Sequence, residues 1–171
     1  MVGRVHTREA SARDVPFLER ILLEAYNWSD RRFTAAWVRT DPMARRYLEG
    51  FPAEGDLGLV ALADGVPVGA AWARPLPADR AGYGFVAADV PELTIGVLPE
   101  ARRRGVASTL LAEIIGLAVD RRAPGLSLSV EDGNTARRLY ERVGFEVVGR
   151  NGRSDTMLLH FSESRQHDGS R

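Results

Sequence analysis

The chain has 171 residues, enough for one domain with a hydrophobic core. Its 44% hydrophobic and 27% charged residues are typical of a globular protein and exclude the disordered and fibrous classes. The 23 basic residues, all of them arginine, balance 23 acidic residues, so overall charge draws the chain toward neither nucleic acid nor a membrane.

Cysteine is absent, which excludes disulfides, cysteine-ligated metals and thiol nucleophiles. The first residues lack the apolar segment of a secretory signal, and no apolar run approaches the roughly 20 residues that span a bilayer. We therefore expect a cytoplasmic protein with no membrane partner. The three histidines, His6, His160 and His167, lack metal-ligand spacing, so no metal site is predicted.

The first third of the chain is predicted to be mainly helical. A short strand covers Val5–Glu9, and Ser11 or Asp14 can cap the helix that follows. The apolar stripe of that helix consists of Phe17, Leu18, Ile21, Leu22 and Ala25. Two short helices are predicted over residues 31–38 and 43–48, with Pro42 opening the second.

A β-hairpin is the clearest local signal. Two strand-like runs, residues 57–63 and 66–73, flank Asp64-Gly65, a pair that favours a two-residue turn because glycine adopts positive φ readily. The polar, glycine- and proline-rich segment 74–88 follows. It is longer than an ordinary connection, which indicates a functional loop.

The second half alternates between strands and helices. Strands are predicted over 92–97, 126–130, 145–150 and 156–161, with helices over 104–119 and 134–143. The composition of 162–171 predicts a disordered polar tail. A hairpin followed by this alternation indicates one α/β domain, residues 1–161, with a mixed sheet flanked by helices.

The turn between the 92–97 strand and the next helix is basic and rich in small residues. Backbone N–H groups at a helix start are unpaired and lie at the positive end of the helix dipole, so they suit a phosphate. Gly105 and Ala107 allow close approach, and Arg102, Arg103 and Arg104 add charge. Alone, the segment also fits a merely solvated helix start, and it is neither a Walker A loop nor a G-x-G-x-x-G turn.

The second distinctive segment is the predicted helix 134–143. Asn134 or Asp132 can cap it. One face carries Ala136, Leu139, Tyr140 and Val143. Gly144 suits the left-handed residue that ends a helix, with Phe145 folding back on the last turn. By itself the pattern is equally that of a helix with a core tyrosine.

The two segments in order, Arg-x-x-Gly-x-Ala at 102–107 and Asn-x-Ala-x-x-Leu-Tyr-Glu-x-x-Gly-Phe at 134–145, resemble the GNAT superfamily of N-acetyltransferases. The resemblance covers roughly residues 57–161, and the helical first third is compatible with it. Two departures stand out, because many relatives have glycine in place of Arg103 and of Ala107.

The resemblance implies a mostly antiparallel central sheet that splays between two parallel strands, 92–97 and 126–130. Acetyl-coenzyme A would be the co-substrate, with its pantetheine arm against the backbone of Ile95, Gly96 and Val97. The pyrophosphate would lie on Arg102, Arg103, Arg104, Gly105, Val106, Ala107 and Ser108. Asn134 would meet the pantetheine.

The same resemblance implies direct attack of a primary amine on the thioester, with Tyr140 as the acid for the leaving thiolate. Glu92 is the candidate base, and a solvated glutamate at a strand end is the alternative. Trp28, Trp37 and Trp72 are expected in the core or the cleft wall, and Tyr26, Trp28 and Tyr83 at the acceptor. Three questions stay open: which amine is the acceptor, how long the acyl group is, and whether the protein is a monomer or a homodimer. A non-catalytic acyl-CoA sensor is an alternative function. A nucleic-acid adaptor is disfavoured by the balanced charge.

Overall fold

The computed structural model describes residues 4–162, which form seven strands and five α-helices in one domain. The predicted tail, 162–171, and His167 fall almost wholly outside the described residues. In chain order the elements are β1 Val5–Glu9, α1 Val15–Tyr26, α2 Ala35–Thr40, α3 Pro42–Arg45, β2 Leu57–Ala63, β3 Val66–Arg74, β4 Glu92–Val97, α4 Val106–Asp120, β5 Gly125–Glu131, α5 Arg137–Val143, β6 Glu146–Asn151 and β7 Ser154–His160.

The strands form one mixed sheet in the order β1-β2-β3-β4-β5-β7-β6. Every neighbouring pair is antiparallel except β4 and β5, which are parallel and register at a single pair, Glu92 with Ser127. The backbone N–H of Ser127 also donates to the carbonyl of Pro91 (3.0 Å), and beyond this point the two strands diverge. The predicted splay between these two strands, and the predicted α/β fold class, are confirmed.

Helices cover both faces of the sheet and create two hydrophobic cores. On one face α4 and α5 pack against alternate residues of the strands, with Leu110, Leu111 and Ile114 fully buried. On the other face α1 to α3 pack around Trp72, which is also fully buried. Side chains alternate along a strand, so β4 sends its odd-numbered residues to the α4 face and its even-numbered residues to the α1 face.

Several predicted boundaries need correction. The helix expected over 31–38 is α2 and begins only at Ala35, because the Thr34 side chain accepts the N–H of Trp37 (3.2 Å) and so fixes the start there. The helix expected over 43–48 is α3, which ends at Arg45 and continues as a turn. The hairpin is confirmed, with Asp64 and Gly65 both at positive φ.

The helix expected from 134 is α5 and begins at Arg137, with Ala136 rather than Asn134 or Asp132 at its cap position. Val143, expected on the packed face, is 38% exposed, whereas Tyr140 on the same helix is buried. Gly144 ends α5 in the left-handed conformation, and Phe145 lies edge-on to Tyr140, as expected. Within residues 4–162 no helix is long and apolar enough to cross a membrane.

A buried ion pair fixes the connection between α3 and the hairpin. The guanidinium of Arg74, at the end of β3, donates to the Asp56 carboxylate (3.0 Å), and the two side chains are 8% and 3% exposed. The same guanidinium donates to the carbonyl of Arg46 (3.0 Å). Removing one partner of a buried pair leaves an uncompensated charge, whereas exposed pairs contribute little.

We expect Asp56→Ala to lower the free energy of unfolding by about 3 kcal/mol, because it strands the Arg74 charge. Urea unfolding followed by circular dichroism measures this value. Glu49→Ala removes a carboxylate that pairs with two exposed arginines, Arg45 and Arg80, and serves as the control. An Asp56→Ala protein as stable as the Glu49→Ala control would contradict the assignment of Arg74 as a buried charge.

Candidate active site

One cavity of about 570 Å³ passes through the sheet where β4 and β5 diverge. On the α4 face its wall includes Ala107, Leu139 and Tyr140; on the α1 face it includes Tyr26, Tyr47 and Glu92. The edges of β4 and β5 form the sides. The gap in the sheet is therefore a passage that connects the α4 face with the α1 face, and different side chains line its two ends.

The start of α4 supplies unpaired backbone donors at one end of this cavity. Gly105 occupies the cap position at φ 76°, and Arg103 is also left-handed at φ 61°. No side chain caps the helix, so the N–H groups of its first turn remain available at the positive end of a 15-residue helix. An anion such as a pyrophosphate fits this arrangement.

The outer edge of β4 offers strand-type hydrogen bonds. The N–H of Leu98 donates to the carbonyl of Val68 (2.8 Å), which sets the alternation of the antiparallel β3–β4 ladder. By that alternation the peptide groups of Ile95 and Val97 turn away from β3 and toward β5. Since β5 has diverged there, an extended chain with amide groups, such as pantetheine, could pair with this edge.

Two of the residues expected at the co-substrate are engaged with the protein itself. Arg102 donates to the carbonyl of Val97 (3.2 Å) and to the carboxylate of Glu24 (3.3 Å), so its charge is compensated. Asn134 lines the cavity, and its side-chain oxygen accepts the N–H of Ala136 (3.0 Å). The side-chain NH₂ group of Asn134 stays available for a ligand.

Glu92 is buried, 4% exposed, which overturns the alternative of a solvated strand-end glutamate. Its Oε1 accepts hydrogen bonds from the Tyr47 hydroxyl (2.6 Å) and the Gly84 N–H (2.8 Å). Its Oε2 has no partner among the described residues. Burial raises the pKa of Glu92 above its ordinary value, and the two hydrogen bonds oppose that rise.

The loop 82–84 covers Glu92 and depends on glycine. A β-carbon at Gly82 would lie 2.1 Å from Glu92 Oε2 and 2.7 Å from the Tyr47 hydroxyl, so only glycine fits. The N–H of Tyr83 donates to the Tyr47 hydroxyl (2.8 Å). The segment predicted as a functional loop thus holds the carboxylate and its tyrosine partner in place.

Tyr140 lines the cavity from the α4 face of the sheet and is 8% exposed. Desolvation raises the pKa of Tyr140 to about 12, so its hydroxyl keeps its proton at neutral pH. Tyr140 and Glu92 therefore approach the passage from opposite faces of the sheet, one as a proton donor and the other as a carboxylate.

Sequence reasoning missed Tyr47 and Phe33, and it proposed Tyr26, Trp28 and Tyr83 for this region. All five line the α1 end of the cavity together with Trp37. Trp72 is instead part of the core. One sequence signal could have located the group: five of the 13 aromatic residues of the chain fall between positions 26 and 47.

The structure brings most of the predicted site residues to one cavity. Those that line it are Glu92, Ile95, Gly96, Val97, Arg102, Ala107, Asn134 and Tyr140. Arg103, Arg104, Gly105, Val106 and Ser108 lie outside the lining, and the Val106 side chain is part of the core. These five residues can therefore offer a ligand only the backbone groups and the exposed charge of the turn. No cluster of three or more metal-ligating side chains occurs within residues 4–162.

Solved structures share this architecture. The PaiA N-acetyltransferase of Thermoplasma acidophilum, in complex with coenzyme A, is 19% identical, with a TM-score of 0.71 over 92% of this chain and 99% of that one. A ribosomal-protein-alanine N-acetyltransferase of Brucella melitensis is 27% identical, with a TM-score of 0.66 over 91% and 99%. A GNAT family acetyltransferase of Brucella melitensis, in complex with acetyl-CoA, is 21% identical, with a TM-score of 0.61 over 93% and 89%.

Residues 22–145 match the model of the Acetyltransferase (GNAT) family. The matched segment contains β4, the start of α4, α5 and the cavity between them. The chain belongs to the GNAT family of acetyltransferases. No curated protein matches the sequence.

The raised pKa of Glu92 predicts a pH dependence of stability. Ionising the carboxyl costs more in the folded than in the unfolded state, so its contribution to the free energy of unfolding falls as pH rises from the ordinary pKa of 4.5 through the raised folded value. Glu92→Gln keeps the acceptor oxygen and cannot ionise. We expect the melting temperature of Glu92→Gln to rise relative to the parent between pH 4 and pH 8.

Differential scanning calorimetry at intervals across this range measures the effect. Glu54→Gln, in the exposed segment before β2, makes the same change and is the control, and its difference from the parent should lack this trend. A Glu92→Gln difference that is constant with pH, or that has the opposite slope, would show that the pKa is not raised.

Proposed function

We propose that this protein transfers an acetyl group from acetyl-CoA to a primary amine by direct attack within a ternary complex. The observation that carries the proposal is the passage through the sheet. Toward one end it has backbone groups of a helix start and of a strand edge, and at the other a buried carboxylate, one oxygen of which has no partner within residues 4–162. A thioester held in the gap would face an amine held at Glu92.

Glu92 acts as the general base in this proposal. A lysine-like amine is protonated at neutral pH, and forming the neutral nucleophile at pH 7 costs roughly 4–5 kcal/mol. The Glu92 carboxylate lines the cavity and can receive that proton, and its raised pKa improves it as an acceptor. The hydrogen bonds from Tyr47 and Gly84 hold its Oε1, so the carboxylate keeps one orientation.

Tyr140 acts as the proton donor to the leaving sulfur. A carbon–nitrogen bond forms as the carbon–sulfur bond breaks. Glu92 takes one proton from the ammonium to give the neutral amine, and the Tyr140 hydroxyl gives its proton to the leaving sulfur and regains one from the nitrogen of the collapsing intermediate, so that amide and thiol result. The N–H of Val97, which points into the gap, is placed to stabilise the negative carbonyl oxygen. With no cysteine in the chain, an acyl-cysteine intermediate is excluded.

The name of the 27% identical relative, a ribosomal-protein-alanine N-acetyltransferase, supports nitrogen as the acceptor atom. The coenzyme A and acetyl-CoA complexes of similar folds support the donor. The balanced charge supports an acceptor that is a small molecule or peptide rather than nucleic acid or a membrane, in a cytoplasmic setting.

The direct test combines acetyl-CoA binding by calorimetry with release of free CoA in the presence of a panel of amines. Turnover with any amine supports the proposal. Saturable binding of acetyl-CoA without turnover on any amine would instead support a non-catalytic acyl-CoA sensor. Absence of binding would overturn both.

We expect Tyr140→Phe to lower kcat by about 10²- to 10⁴-fold, the range for a lost general acid, with the acetyl-CoA dissociation constant changed little. Steady-state kinetics and calorimetry separate the two effects. Phe145→Leu, which alters the ring that packs on Tyr140 but removes no hydroxyl, is the control for local repacking. If the Tyr140→Phe enzyme kept the parent's kcat, the acid would be another group or water.

Ala107→Leu tests the donor end. Ala107 lies in the first turn of α4 and lines the cavity, so a larger side chain there should obstruct the thioester arm and weaken acetyl-CoA binding by about tenfold or more. Ala112→Leu makes the same change at an exposed position of the same helix and should leave the dissociation constant unchanged. If calorimetry gave the two variants equal affinities for acetyl-CoA, the donor would bind away from the start of α4.

A further inference from the structure

The acceptor end of the cavity holds one uncompensated charge. Three glutamates line the cavity. Glu24 pairs with Arg102 (3.3 Å), and Glu131 is held by both guanidinium nitrogens of Arg32 (2.9 and 3.2 Å). Glu92 has only neutral partners, a tyrosine hydroxyl and a backbone N–H. The electrostatics of this end therefore suit one ammonium group, and the described residues that line it offer no free carboxylate for a second.

The walls around that carboxylate are aromatic. Tyr26 makes edge-on contacts with Phe33, Trp37 and Tyr83, at ring-centroid distances of 5.6, 5.0 and 6.3 Å. Tyr47, the hydrogen-bond partner of Glu92, stacks on Tyr83 at 6.5 Å. A flat apolar group bound beside the ammonium would gain edge-on or stacked contacts, and the rings would also favour the adjoining positive charge.

Two polar atoms in the same walls have no partner among the described residues, although both are buried. They are the hydroxyl of Tyr26 and the indole Nε1 of Trp28. The Trp28 ring lies near Gly133, in the turn that precedes α5, so it spans the cavity wall from the α1 side to the α5 side. An indole N–H can only donate, so its missing partner must be an acceptor atom, such as an oxygen. Buried donors are normally paired, and these two point to a ligand.

On the basis of the proposed function, we propose that the acceptor is a small aromatic primary monoamine. This amine also carries an oxygen that accepts hydrogen bonds. The ammonium binds Glu92 and becomes the nucleophile when the carboxylate takes its proton. The ring lies among Tyr26, Tyr47 and Tyr83, and the oxygen accepts from Trp28 and Tyr26. Polyamines are disfavoured because their second ammonium would find no free carboxylate among the described residues that line the cavity.

The test measures kcat/KM at saturating acetyl-CoA for tyramine, phenethylamine and spermidine. Tyramine and phenethylamine differ only by the ring hydroxyl. We expect tyramine to exceed phenethylamine by about tenfold, since its oxygen satisfies donors that phenethylamine leaves buried and unpaired. Spermidine should fall well below both.

The Trp28→Phe variant keeps an aromatic wall and removes the N–H, and Tyr26→Phe removes only the hydroxyl. Each should bring the ratio of tyramine to phenethylamine toward one, which a loss of folding or of acetyl-CoA binding would not do. Val66→Ala, at an exposed position of the hairpin far along the sheet, should keep the parent's ratio.

The outcomes separate this inference from the proposed function. Turnover that prefers spermidine or a peptide amine, or a ratio that Trp28→Phe leaves unchanged, would overturn the aromatic monoamine and leave the acetyltransferase standing. Failure of every amine to react would overturn the proposed function. In that case, calorimetric titration of the CoA-bound protein with tyramine decides the inference: binding weakened in Trp28→Phe supports it, and absence of binding overturns it.

Discussion

The divergence of β4 and β5 is the constraint on which the site depends. A sheet normally pairs every interior backbone group, and unpaired groups away from water are costly. Here β4 is held by β3 on its other side and β5 by β7, so the two strands separate after one pair without losing the sheet. The gap leaves the peptide groups of Ile95 and Val97 without a strand partner on that side. It also joins the two faces of the sheet, which a continuous sheet would keep apart.

The second requirement is a carboxylate held away from water without a cation beside it. Its orientation is set by residues behind it. The Trp72 indole donates to the carbonyl of Tyr47 (2.8 Å), and the Arg74 guanidinium donates to the carbonyl of Arg46. With its backbone held in this way, Tyr47 donates its hydroxyl hydrogen to Glu92. The side chains that complete the hydrophobic core on the α1 face thus also position the acid. Burying an ionisable group in this way costs stability, a cost that functional sites commonly carry.

The sequence was sufficient for the elements and the motif turns, because their signals are local. Asp64-Gly65 marks its hairpin through glycine's backbone freedom alone. The helix expected over 104–119 begins at Val106, with Gly105 at its cap position. The helix expected over 31–38 begins four residues later, at Ala35, because the Thr34 side chain caps α2. The burial of Glu92 could not be read from its strand-end position. It depends on loop 82–84 folding over it and on Tyr47, 45 positions away in the chain.

This difference between local and distant signals also explains why the donor was predictable and the acceptor was not. The donor end consists mainly of backbone groups, at the start of α4 and the edge of β4, so a fold and a few small residues define it. The acceptor end consists of side chains from α1, α2, the turn after α3 and loop 82–84, which meet only in the folded protein. The proposed specificity therefore rests on the α1 face, where a carboxylate with neutral partners and two donors without a partner among the described residues lie within aromatic walls.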